Sequence, residues 1–183
     1  MKKTVLLIVV SSFFVQSCSN ELVEVEKTIE LKKANLNAED TIAALGFRIQ
    51  GAGHSGDFAY RTDSVNQYSA AFAENLQDSL VGSKIRVCVN FWAKSTNPLK
   101  GDCLGVTFCK KDGSCAWNGF DIINYTAKSN EWVNIIDSLT YSADQFAEAG
   151  SLIKVFAFNP NKTTIVDFDD INIVIKKVYI VAE

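Results

Sequence analysis

Along most of the chain, apolar and polar residues alternate in short runs broken by turn signals. This is the rhythm of an all-β protein. The clearest run is IRVCVNFWAK: Ile85, Val87, Val89 and Phe91 fall on one face, and Arg86, Cys88, Asn90, Trp92 and Lys94 on the other. STNPLKGD, with Pro98 and Gly101 as breakers, predicts a loop. CLGVTFCK then predicts a returning strand paired antiparallel with the first. After the Asp112-Gly113 turn, CAWNGFDIINY begins another strand; EWVNIIDSL, SLIKVFAFN and FDDINIVIKKVYIVA supply three more, and FAYRTD an early one. Helical signals are few. SADQFAEAG offers Ser142 as an N-cap, Gln145 three residues on and Gly150 as a stop, enough for about two turns. NAEDTIAAL offers another short turn. Strands do not alternate with helices, which argues against a doubly wound α/β sheet. The pattern predicts an all-β fold, a two-sheet antiparallel jelly-roll sandwich.

The first residues break this rhythm. MKKTVLLIVVSSFFVQSC places Lys2 and Lys3 before an apolar run from Val5 to Val10, then small and polar residues up to Cys18. Charge, length and order are those of a secretory signal. The apolar run is too short to cross the roughly 30 Å of a bilayer core. Its end, VQSC, resembles the lipobox of bacterial lipoproteins, in which cleavage precedes a cysteine that takes acyl chains. That resemblance implies a signal peptide over 1–17, lipidation at Cys18 and a tether over 18–25. The remaining 26–183 suit one domain. It also implies a lipid-anchored place in the bacterial cell envelope, at the outer membrane.

The formal net charge of −3 becomes more negative once Lys2 and Lys3 leave. No basic stripe matches a phosphate backbone, so nucleic acid is not an expected partner. Four cysteines remain beyond Cys18, and an exported chain meets oxidising conditions. CKKDGSC would bring Cys109 and Cys115 together across a hairpin, leaving Cys88 with Cys103; four buried thiols are the competing reading. Zinc fits poorly, because no C-x-x-C spacing is present and His54, the only histidine, is far away in sequence.

Three stretches carry candidate chemistry. GAGHSGDFAYRTD almost spells a G-x-S-x-G nucleophile elbow around Ser55. Position 57 is Asp, a strand follows instead of a helix, and His54 adjoins Ser55, where neighbouring side chains on extended backbone point apart. A serine triad has no base here. VDFDDI gathers Asp167, Asp169 and Asp170. The first two would share a strand face about 6.5 to 7 Å apart, a glycosidase-like spacing without an evident cleft. A calcium site and an acidic strand start that discourages edge pairing both remain open. Trp92, Trp117 and Trp132, with Tyr68, Tyr125, Phe156 and Phe158, could stack on sugar rings. Trp132 reads as core. Trp92 shares its strand face with Arg86, Asn90 and Lys94, polar groups suited to sugar hydroxyls.

GHSGDFAYRTDSVNQYS, KIRVCVNFWAKS, NEWVNI and IKVFAFNPNKTTIVDFDDINI, in this order, resemble carbohydrate-binding modules of the family 4, 9 and 22 type, which have a galactose-binding-domain jelly roll. The likeness runs from about residue 51 to 175. It implies an aromatic-lined glycan surface and a structural Ca²⁺ on the first Asp of the D-D pair, here Asp169. The second acidic ligand could be Glu26, Glu30 or Asp40. The expected function is therefore glycan or polysaccharide binding without catalysis. Trp92 and Trp117 would stack, Asn90 and Arg86 would hydrogen-bond, and Tyr68 or Phe156 would flank. An envelope adhesin or protein-interaction module on the same sandwich is the alternative, and a glycoside hydrolase a more distant one.

Overall fold

A computed structural model describes residues 24–40, 46–145 and 149–182. Cys18 and the segment read as a signal lie outside the described residues. Among the described residues, ten strands form two antiparallel sheets, so the all-β sandwich is observed. The first sheet runs β2 (Arg48–Gln50), β3 (Phe58–Thr62), β10 (Val166–Ala182), β5 (Lys84–Ser95) and β8 (Val133–Tyr141). β1 (Glu24–Leu36) also pairs with β10. It follows β3 along one edge of β10: Asp167 opposes Arg61 of β3, and Ile171 opposes Leu36 of β1. The second sheet runs β4 (Tyr68–Asn75), β9 (Leu152–Phe158), β6 (Cys103–Cys109) and β7 (Cys115–Asp121).

Period-two alternation builds the core. Ile85, Val87, Val89 and Phe91 of β5 and Ile171, Ile173 and Ile175 of β10 are buried from one sheet. Leu104, Val106 and Phe108 of β6 and Ile153, Val155 and Ala157 of β9 meet them from the other. Each large side chain buried this way contributes about 1.5–3 kcal/mol. Phe91 is fully buried and 6.1 Å from the Phe168 ring centre, so its truncation would open a cavity between the sheets.

Several expectations are corrected. β6 does not pair with β5; its neighbours are β7 and β9. The loop after β5 crosses from one sheet to the other because Asp102, wholly buried, ties it to the loop after β9. The Asp102 carboxylate accepts hydrogen bonds from the Thr164 hydroxyl (2.9 Å) and the Asn161 amide (2.8 Å). Cys88 lies on the outer face of the first sheet and Cys103 on β6 of the second. The core stands between them, and both are free thiols, so the Cys88–Cys103 bridge is absent. The Cys109–Cys115 disulfide is present, closing the β6–β7 hairpin. β1 begins at Glu24, so residues 24 and 25, read as tether, pair with Ala182 and Val181. β4 has no counterpart in the expected strands, because a bulge between Ser69 and Phe72, with Ala70 at φ 47°, interrupts its alternation.

Among the described residues there is no α-helix, only single 3₁₀ turns at Asp78–Leu80 and Ile122–Asn124. The Ser142 N–H and hydroxyl both donate to Gln145 Oε1 (2.8 and 3.0 Å), the Gln half of a capping box, over a turn at 143–145; residues 146–148 lie outside the described set. Asn37 caps a turn at 38–39 by accepting the Glu39 N–H, and residues 41–45 again lie outside.

Candidate functional site

The outer face of the first sheet is dominated by the turn around His54. Asp169 Oδ2 accepts the backbone N–H groups of His54 (2.8 Å) and Ser55 (3.2 Å), and its Oδ1 accepts that of Asp170 (2.8 Å). The Ser55 hydroxyl donates to Asp170 Oδ1 at 2.7 Å, and His54 Nδ1 lies 3.3 Å from Asp170 Oδ2. Both side chains thus address one carboxylate, and the imidazole is not placed as a base for the hydroxyl. The turn lays the His54 ring flat on Trp92, with centres 3.8 Å apart and planes 16° from parallel; the Trp132 edge closes the side at 5.5 Å. Lys94 stands 4.8 Å over the Trp132 ring and 3.3 Å from Asp167. Arg61 grips Asp167 with two hydrogen bonds of 2.7 and 3.0 Å, the geometry a guanidinium gives a carboxylate. That bond and the nearby negative charge hold Arg61 above its ordinary pKa.

These contacts test the calcium expectation. A bound Ca²⁺ needs six to eight oxygen ligands. Around Asp169 the structure supplies three N–H donors. Glu26 and Glu30 oppose Ile180 and Lys176, at least about 23 Å along β10 from Asp169, and Glu26 pairs with Arg86 at 2.8 Å. Asp169 is therefore the carboxylate that anchors the His54 turn, and Glu26 and Glu30 lie too far along β10 to share a cation with it.

The outer face of the second sheet is built differently. Strand register sets its side chains in cross-strand rows. Ala73, Lys154, Thr107 and Trp117 form one row. Phe156, Gly105 and Gly119 form the next. Tyr68, Phe158, Cys103 and Asp121 form a third. Trp117 leans from its own row over Gly105. A Cβ on Gly105 would stand 2.4 Å from Trp117 Cη2, so only glycine admits the ring there. Leaning places Trp117 5.4 Å from Phe156 and 5.2 Å from Phe158. Tyr68 stacks on Phe158 at 4.8 Å and meets Phe156 at 5.7 Å. Four rings therefore form one patch, with Tyr68 60% and Trp117 47% exposed. A groove of about 640 Å³ continues from it along β4 and β9, between Tyr68, Ala71, Ala73, Lys154 and Phe156. Cys103 beside it is a neutral thiol: burial, then the charges of Asp121 and Asp102, push its pKa up to about 12.

The expected site residues therefore divide. Trp92, Asn90 and Arg86 share the first sheet's outer face, where Trp92 is roofed by His54. Asn90 there accepts a hydrogen bond from the Asn134 amide (2.9 Å), and Arg86 is engaged by Glu26 and Thr140. Trp117, Tyr68 and Phe156 come together on the opposite sheet. Lys154, Thr107 and Gly105 join them without having been singled out. Their signals were a polar residue on the Phe156–Phe158 face of β9 and a glycine inside an apolar strand.

No known family model matches the chain, and no curated protein matches it. Among solved structures, it is similar to a "Family 16 Carbohydrate Binding Module-2", with 12% identity over 78% of this chain and 96% of that one and a TM-score of 0.45. It is also similar to the CBM22-1-CBM22-2 tandem of Paenibacillus barcinonensis Xyn10C: 14% identity, 81% of this chain and 50% of that one, TM-score 0.41. A family 30 carbohydrate-binding module of a Clostridium thermocellum cellulosomal cellulase matches at 13% identity over 83% and 97%, TM-score 0.35. At these scores the likeness carries no functional argument. The chain spans half the length of the tandem it matches.

Proposed function

We propose that the protein is an exported, lipid-anchored glycan-binding protein without catalysis, and that the outer face of β4, β9, β6 and β7 holds the sugar. One observation carries this reading: the exposed four-ring patch of Trp117, Phe156, Phe158 and Tyr68 beside an open groove. A contiguous exposed apolar patch on a soluble domain marks a binding surface. Flat rings match the C–H faces of pyranoses and lose little side-chain freedom on binding. The face that carries Trp92 offers no comparable opening, because His54 already occupies its ring.

Affinity gels containing a panel of soluble polysaccharides test the reading. At least one should retard the wild type and not Trp117→Ala. Capture of an envelope protein with no polysaccharide retarded would favour the interaction-module alternative. Metabolic labelling with a radioactive fatty acid tests the anchor, and label should disappear in Cys18→Ala.

A further inference from the structure

We infer that the sugar taken by this face is acidic, a uronate whose carboxylate is met by Lys154. The inference rests on the glycan reading above and adds the class of sugar. Lys154 lies in the same cross-strand row as Trp117, separated from it by Thr107. At the usual strand spacing the two Cα atoms are about 10 Å apart. Phe156 lies two residues further along the same face of β9, about 7 Å away. A sugar ring resting on Trp117 and Phe156 therefore turns its rim toward the ammonium group.

The charges around Lys154 leave it available. It is exposed, lines the groove, and forms no ion pair or hydrogen bond among the described residues. The two rows that contain Lys154 and Phe156 hold no acid. Glu74, next to Ala73, faces the other way and pairs with Lys32 at 3.2 Å. Asp121, one row beyond, accepts the Gly101 N–H at 3.3 Å. Those rows also hold no amide or carboxylate, the side chains that read the hydroxyls of neutral sugars in pairs. Within those two rows, apart from the Thr107 hydroxyl, the polar side-chain chemistry is one cation. The whole chain is net negative, so attraction for an anion comes from this spot and not from overall charge.

Affinity gels with polygalacturonate, its fully methyl-esterified form, a neutral galactan and dextran sulfate separate the possibilities, with calorimetry on a galacturonate tetramer to measure affinity. Polygalacturonate should retard the wild type most. Lys154→Gln should weaken tetramer binding about three- to fivefold, the scale of one exposed charge pair, and Lys154→Arg should restore it. The wild type should lose affinity at high salt, and Lys154→Gln should not. Equal retardation by the methyl ester, or an unchanged Lys154→Gln, overturns the inference. Binding of dextran sulfate alone overturns the carboxylate assignment. Retardation by the neutral galactan as strong as by polygalacturonate, with both lost in Trp117→Ala, leaves the glycan reading standing and removes this one. If none of the four polymers is retarded, the glycan reading falls first.

Discussion

Trp92 and Trp117 look alike in the sequence, each on the outward side of an alternating strand, yet they end in opposite situations. Trp92 lies under a stacked histidine that Asp169 and Asp170 hold in place. Trp117 lies on a glycine, with its upper face open. What decides between structural and binding use is the residue laid against the ring, and that residue comes from elsewhere in the chain. His54 is 38 positions from Trp92 in sequence; Gly105 reaches Trp117 only because two hairpin strands pair in register.

The most direct way to break the comparison is to remove both rings in turn. Trp117→Ala should lower polysaccharide affinity more than about tenfold, as truncation of a central aromatic anchor does, and leave the denaturation midpoint nearly unchanged. Trp92→Ala should do the reverse: binding intact, with stability lower by about 2–3 kcal/mol, toward the low end for a large aromatic because Trp92 is only half-buried. Gels and urea titrations of the same two variants decide this, and a loss of binding in Trp92→Ala with Trp117→Ala unaffected would reverse the assignment of the faces.

Asp169→Ala should come next in size. It strands the N–H groups of His54 and Ser55, at a cost of about 1–3 kcal/mol, and frees the turn above Trp92 without touching the opposite face. A chelator should leave the wild-type melting temperature where it is. A drop on chelation would show that Asp169 holds a cation after all. Gly105→Ala is subtler. Its methyl group would collide with Trp117 and tilt the ring off Phe156, so affinity should fall severalfold while the core, on the other side of β6, stays packed.

The last effect concerns pH and leaves neutral conditions untouched. The Cys103 thiol ordinarily titrates at 9.0 and is pushed up to about 12 in the fold, chiefly by burial. The unfolded chain therefore releases this proton first as pH rises. Stability from this group is complete below pH 9.0 and declines steadily toward pH 12. Burial raises Tyr141 in the same direction. Denaturation midpoints should fall between pH 8 and pH 11, and Cys103→Ala should flatten part of that slope. At pH 8, iodoacetamide should label Cys88 ahead of Cys103.

How much of this was legible follows from range. The β5 face assignment needed only neighbours two apart, and every one of Ile85, Val87, Val89 and Phe91 is buried as the alternation required. The Cys109–Cys115 bridge needed only a tight Asp-Gly turn. The partner of β6 was not legible, since the crossing is fixed by Asp102 reaching residues about sixty positions away. β4 was hidden by its bulge, and β1 by charges that suit an exposed edge as well as they suit a tether. The aromatic set was visible as a set. Its division between two faces was not, because outward positions on two different sheets carry the same pattern.

The pairing of β1 with β10 sets a timetable for the molecule. Glu24 bonds opposite Ala182, so the first strand waits for the last. β5 likewise has one long flank open until β10 arrives. During synthesis the second sheet can close once β9 has emerged, but the first cannot, whatever its local preferences, because contacts this distant in sequence form late. A nascent chain ending before residue 166 leaves β1, β3 and β5 each with an edge in search of a partner, and the same span that completes the sheet also supplies the aspartates that fold the His54 turn over Trp92.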